Sequence, residues 1–272
     1  MKLTTLIENK QAIKQIKCEH GLSFLLETQG LKILFDTGQT SKFIDNATKL
    51  NIDLGEVDYV IISHGHYDHA GGLPHFLEIN SKAHVFIHTA AFKQRFSRSS
   101  SMVKENGIPW RNDLKQYAQR ITLIDKDVEI APGIHILTHI NTIEDYETTN
   151  PRLVCKEGDQ YIPDTFDDEI ILVAIENNKS IVIAGCAHTG IVNILHTVTD
   201  RLKCNTIHLL AGGLHLMGKS KDEIKHVIDG LQLFDVEKLA LNHCTGEEAM
   251  EALSALYQDK VMHFGAGAQI SF

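Results

Sequence analysis

Residues 62–73 read ISHGHYDHAGGL. Four metal-loving side chains, His64, His66, Asp68 and His69, fall within six positions directly after an apolar run. In an extended segment, residues two apart project to the same side, so His64 and His66 can chelate one ion. Asp68 and His69 come where the chain turns towards a helix and can face a second ion beside the first. Gly65, Gly71 and Gly72 permit tight backbone geometry between them. Neutral imidazole with carboxylate suits zinc, manganese or iron. Two such cations can share one water, lower its pKa towards neutral and polarise a carbonyl or phosphoryl oxygen. Metal-assisted hydrolysis is one chemistry that such a spacing could serve.

The elements that must position these groups alternate between strand and helix. KLTTLIEN, LSFLLET and LKILFDTG read as strands. TSKFIDNATKLNI reads as an amphipathic helix with Thr40 or Ser41 as its cap. VDYVIIS is a buried strand that delivers the His-rich loop. GLPHFLEIN is then a helix and AHVFIHT a strand. The second half repeats this logic: strands GIHILTHI, EIILVAIEN and KSIVIAGCAH, with Asn177-Asn178 as a turn between the last two. The helix GIVNILHTVTDRL follows, then the strand and glycine turn TIHLLAGGLHL, the helix KDEIKHVIDGLQLF, and the strands KLALNHC and VMHFGAG. Two rounds of strand pairs followed by strand–helix units predict an α/β protein, a four-layer αββα sandwich, taken as one domain over 1–272. The polar, basic stretch at about 91–130 holds the only Trp. It reads either as a solvated helical insertion or as a lid that brings Arg95, Arg98 or Trp110 to substrate.

Composition narrows the function. The chain has 272 residues, 43% of them apolar, and a net charge of −9, so a sizeable core can form and nucleic acid is disfavoured as a partner. A small anionic substrate remains reasonable, because bound metals would be the largest local charges. Five widely spaced cysteines point to a reducing compartment, hence the cytoplasm. No apolar run has the length of a signal peptide or a membrane span.

The order of motifs resembles a family. His64-x-His66-x-Asp68-His69 after an apolar strand, preceded by FDTG at 35–38, is similar to the signature of the metallo-β-lactamase fold superfamily. EHGLSFLLE (19–27), GCAHTGIVNIL (185–195), GGLHL (212–216) and NHCTG (242–246) together resemble its dihydropteroate-synthase-like branch, named for an archaeal dihydropterin–ribofuranosylaminobenzene-phosphate synthase. The resemblance covers essentially the whole chain. It implies an αββα sandwich with a two-metal site: His64 and His66 on the first ion, Asp68 and His69 on the second, and His243 as a late ligand to the second. Zinc ranks first among the metals.

The middle motifs depart from that pattern. PDTFDDEIILV holds no histidine where most relatives have one, and Cys186 stands where a bridging Asp is expected. His188 is the favoured replacement ligand on the first metal. Cys186 is then a thiol behind the metal or a thiolate on it. Asp168 or Glu169 could fill the vacant position, although a solvated acidic turn is the simpler reading. His215 reads as a substrate contact, and His20 as a weaker candidate of the same kind. The resemblance thus implies a binuclear hydrolase in which Asp68 holds a metal and orients the attacking water or takes its proton. The substrate would be a small ester, lactone or phosphoester. The rival readings are a transferase or synthase of pterin-related metabolism, a redox protein, and a non-catalytic metal-binding protein.

Overall fold

The computed structural model describes residues 1–272. The chain divides into two compact units. The first comprises Met1–Asp125, Thr149–Asp168 and Gly265–Ser271. Its main sheet has seven strands in the order Gln269–Ser271, Lys2–Ile7, Ser23–Thr28, Leu31–Phe35, Tyr59–Ile62, His84–His88, Ile121–Ile124. The first four pair antiparallel and the last four pair parallel, with Leu31–Phe35 common to both sets. Parallel neighbours need crossovers, and the helices Lys42–Lys49 and Leu73–Ile79 supply two of them. Phe43, Ala47, Leu73 and Phe76 from these helices pack with Leu34, Val60, Ile62 and Val85 in one buried cluster. The His-rich loop leaves the carboxyl end of the parallel strand Tyr59–Ile62, the edge at which open α/β sheets present their ligand sites. Ser41 sits at the cap of the first helix but makes no side-chain capping bond. The Thr40 hydroxyl donates instead to Glu19 Oε2 at 2.6 Å.

The stretch at 91–130 differs from expectation. It is not a solvated helical insertion. Arg95–Arg98 and Val103–Glu105 are strands of a four-stranded sheet completed by Leu153–Glu157 and Gln160–Pro163. Helix is confined there to short turns such as Leu114–Tyr117. Trp110 is buried, and its Nε1 donates to the Ala70 carbonyl at 2.7 Å. It packs edge-on against Phe92 and Tyr117. Arg95 is buried as well. These two side chains hold structure together, and only Arg98 of the three suggested substrate contacts is exposed.

The second unit comprises Lys126–Thr148, Glu169–Phe264 and Phe272. Its seven-stranded sheet runs Val261–His263, Leu239–Leu241, Leu209–Gly212, Lys179–Ile183, Ile171–Glu176, Ile134–Leu137, Val128–Ala131. Pairing is antiparallel from Val128–Ala131 to Lys179–Ile183 and parallel from there to Val261–His263. Asn177 and Asn178 make the expected hairpin turn, with φ of 51° and 61°. That is the turn whose twist matches flanking strands, and Asn tolerates it. Helices Ile191–Leu202, Lys221–Leu231 and Glu247–Tyr257 link the parallel strands. Ser220 and Glu223 form a reciprocal capping box on the middle one. No helix is long and apolar enough to cross a membrane.

Candidate metal centre

The strand Tyr59–Ile62 hands the chain to Ser63, and the site begins there. The Ser63 backbone N–H donates to Asp36 Oδ1 and its hydroxyl to Asp36 Oδ2, both at 2.7 Å. Having given its proton to Asp36, the Ser63 oxygen can only accept from His64 Nδ1, 2.9 Å away. That sets the His64 tautomer and leaves Nε2 with its lone pair. Asp36 Oδ2 also accepts from His69 Nδ1 at 2.6 Å, which turns His69 Nε2 towards Asp68 Oδ2, 3.8 Å away. One buried carboxylate thus orients two imidazoles through their far nitrogens, the arrangement that holds metal-binding histidines in place.

His64 Nε2 and His66 Nδ1 lie 3.0 Å apart, close to the ~3.3 Å that two imidazoles at zinc–nitrogen distance would show. Asn106 bears on His66. Its Nδ2 stands 3.4 Å from His66 Nε2, while its Oδ1 is buried without a hydrogen-bond partner. Turning the amide over satisfies that oxygen with His66 Nε2–H and leaves Nδ1 as a lone pair beside His64 Nε2. Burial, with His69 and His66 nearby, holds the His64 pKa well below its usual value. Burial brings His66 down to about 3. Both rings are therefore neutral, the state a metal requires. For His69 burial acts downward, but Asp36 and Asp68 outweigh it and raise the pKa. A cation would take the place of that proton. His20 Nε2 lies 3.1 Å from Asp68 Oδ2 at the solvent side. The donor set fits divalent metals.

The loop is fixed from behind. Gly65 N–H donates to Asp168 Oδ2 at 2.6 Å. Asp168 Oδ1 accepts from Arg95 Nη2 at 2.5 Å, and Arg95 Nε donates to Asp164 Oδ2 at 2.7 Å. A Cβ at residue 65 would sit 2.0 Å from the Ala91 carbonyl oxygen and 2.3 Å from Arg95 Nη1, so only glycine fits. Burial alone would lower the Arg95 pKa; Asp168 and Asp164 outweigh it and raise it. Asp168 is therefore not the solvated acidic turn expected from sequence. It is 0% exposed and its oxygens hold the loop and Arg95, which also leaves it badly placed to replace a missing histidine.

The remaining sequence candidates lie in the second unit. The strand Lys179–Ile183 ends just before Cys186 and His188, both buried. Glu169, also buried, accepts from the backbone N–H groups of His188 at 2.7 Å and Thr189 at 2.9 Å, and so fixes the turn that presents His188. The His188 and His215 rings lie 4.3 Å apart. Both line a pocket with Tyr146, Glu147 and Lys219. His243 begins a short turn after the strand Leu239–Leu241, with φ of 52°. The donor atoms of Cys186, His243 and Cys244 lie within 4.8 Å of one another. Cys244 and the orienting role of Asp36 were missed from sequence. For Cys244 the signal was its place directly after His243 in NHCTG.

Comparison with known proteins supplies the frame for this geometry. The family model of the metallo-β-lactamase superfamily matches residues 16–153. The 7,8-dihydropterin-6-methyl-4-(beta-D-ribofuranosyl)-aminobenzene-5'-phosphate synthase of Methanocaldococcus jannaschii is 30% identical over 93% of this chain and 90% of its own. The crystal structure of Tm1679, a metal-dependent hydrolase of the β-lactamase superfamily, is 30% identical, with a TM-score of 0.86 over 100% of this chain and 99% of that one. Zinc-bound PqqB from Methylobacterium extorquens shares the fold at 11% identity, with a TM-score of 0.59 over 100% of both chains. The expected α/β fold and family therefore hold: the chain belongs to the metallo-β-lactamase superfamily.

Proposed function

We propose that the protein is a metal-dependent hydrolase acting on a small, anionic ester, lactone or phosphoester. The observation that carries this reading is the convergence of neutral His64 and His66 nitrogens beside Asp68 and His69, with Asp36 and Ser63 setting the ring orientations. Its ligand set is His64, His66 and His188 for one divalent cation and Asp68, His69 and His243 for another, zinc ranking first. Such a metal pair would supply a water of near-neutral pKa and draw charge from the carbonyl or phosphoryl oxygen. Asp68 would orient that water and accept its proton at a carboxylate oxygen. His215, beside His188 on the pocket wall, would meet the substrate. The setting proposed for the protein is the reducing cytoplasm, on the wide spacing of the five cysteines in the sequence.

The test is a panel of phosphoesters and lactones assayed with zinc-loaded protein. Asp68→Asn should lower turnover by about 10²–10⁴-fold, the range of a lost proton acceptor. Full activity in that variant would refute the mechanism. A second reading, a synthase, is favoured by the name of the M. jannaschii relative. It requires turnover that depends on two organic substrates, with little hydrolysis of either alone.

A further inference from the structure

We propose that Lys104 and Tyr67 form a seat for an anionic oxygen group of the substrate, a carboxylate or phosphoryl group that lies outside the bond to be cleaved. The proposal rests on the hydrolase reading above and narrows its substrate to molecules that carry such a second group. The hairpin strand Val103–Glu105 builds the seat. It runs on into Asn106 and Gly107, which hold the His-rich loop. The Asn106 carbonyl accepts from the Tyr67 backbone N–H at 3.0 Å, and Gly107 bridges antiparallel to His66. Residues two apart in extended chain share a side. Asn106 turns its side chain to the His66 ring, and Lys104 accordingly leans over the Tyr67 ring, with Nζ 5.7 Å from the centroid.

Tyr67 stands between His66 and Asp68 in the chain, so the ammonium is held beside the residues that would carry the metals. Tyr67 also neighbours His20, with ring centroids 6.4 Å apart, and His20 Nε2 lies 3.1 Å from Asp68 Oδ2. The charge of Lys104 is not neutralised. Glu105, the next residue, is drawn away by Arg111 at 2.6 Å, and Lys104 meets the face of Tyr67 rather than a carboxylate. An aromatic face steadies an ammonium without cancelling its charge, and three N–H donors stay available for anionic oxygen. The half-buried Tyr67 adds a phenol that can donate to the same group. In a chain of net charge −9, a cation at this place draws an anionic substrate to the His-rich loop.

Three esters of one shape test the seat: phenyl acetate, para-acetoxybenzoate and para-acetoxyphenylphosphonate, which are neutral, carboxylate-bearing and phosphonate-bearing. With zinc-loaded protein, KM should be about tenfold lower for the charged esters than for phenyl acetate. Lys104→Met should raise KM for the charged esters about tenfold and leave both kcat and the phenyl acetate reaction unchanged, the mark of lost uniform binding. Lys104→Arg should restore most of the preference. Lys104 is exposed, so both variants should fold. A larger loss with the phosphonate identifies the seated group as phosphoryl, and a larger loss with the benzoate identifies it as carboxylate. Turnover without preference for charge, or a Lys104→Met protein that alters all three esters alike, would overturn the proposal and leave the hydrolase reading standing. If none of the esters is turned over, calorimetric titration with phenylphosphonate decides the seat apart from hydrolysis. Binding weakened about tenfold in Lys104→Met would uphold the seat while the hydrolase reading fails for these esters. Equal affinity in the two proteins, or no binding to wild type, would refute the seat.

Discussion

Asp36 lies outside the His-rich motif in sequence, yet it orients that motif: Ser63 and His69 both bond to its carboxylate. Asp36→Asn should keep the fold and weaken zinc binding about 10–100-fold, as measured by competition with a chromogenic chelator. Unchanged affinity would remove Asp36 from the account. The motif itself was legible because the spacing of two between His64 and His66 is a local property of extended chain. Their supports were not: Ser63 and His69 lie 27 and 33 residues from Asp36, and pairing over such a distance leaves no periodic trace. Cys186 was legible as an anomaly, but its neighbour Cys244 only becomes notable once folding sets the two sulfurs side by side.

At the scale of elements, the strand Arg95–Arg98 illustrates what composition conceals. A run rich in Arg, Ser and Lys reads as solvated, yet Arg95 is 1% exposed because Asp164 and Asp168, 69 and 73 residues on, meet its guanidinium. Arg95→Met should leave two buried carboxylates without a cation and destabilise the protein by about 3–5 kcal/mol in urea unfolding. A loss under about 1 kcal/mol would mean that the pair is dispensable. Most helices and parallel strands, by contrast, were legible from apolar period, although the parallel strand Ile121–Ile124 and the helix Glu247–Tyr257 were not. The boundaries followed from turn chemistry such as Asn177-Asn178. The exception was the cap at Ser41, where Glu19 takes the Thr40 hydroxyl from a distance of 21 residues.

For the whole molecule, the doubled pattern of antiparallel strands followed by parallel strand–helix units was visible in sequence, and each unit repeats it. What charge does to its stability was not visible. Glu147 accepts from the N–H groups of Val192 and Asn193 at 3.0 and 2.7 Å. Burial outweighs those bonds and raises its pKa from 4.5 to about 7. A carboxyl raised in this way gives stability that is fully present below pH 4.5 and is lost as pH rises through about 7. The melting temperature should therefore fall over that window, and Glu147→Gln should flatten the fall. An identical slope in the variant would assign the effect elsewhere.

The central claim is a pair of metals held by this chain's own residues, and counting them tests it most directly. Elemental analysis of zinc-reconstituted wild type and His188→Ala, side by side, should give about two equivalents and about one. Wild type that holds no stoichiometric metal after reconstitution would contradict the account.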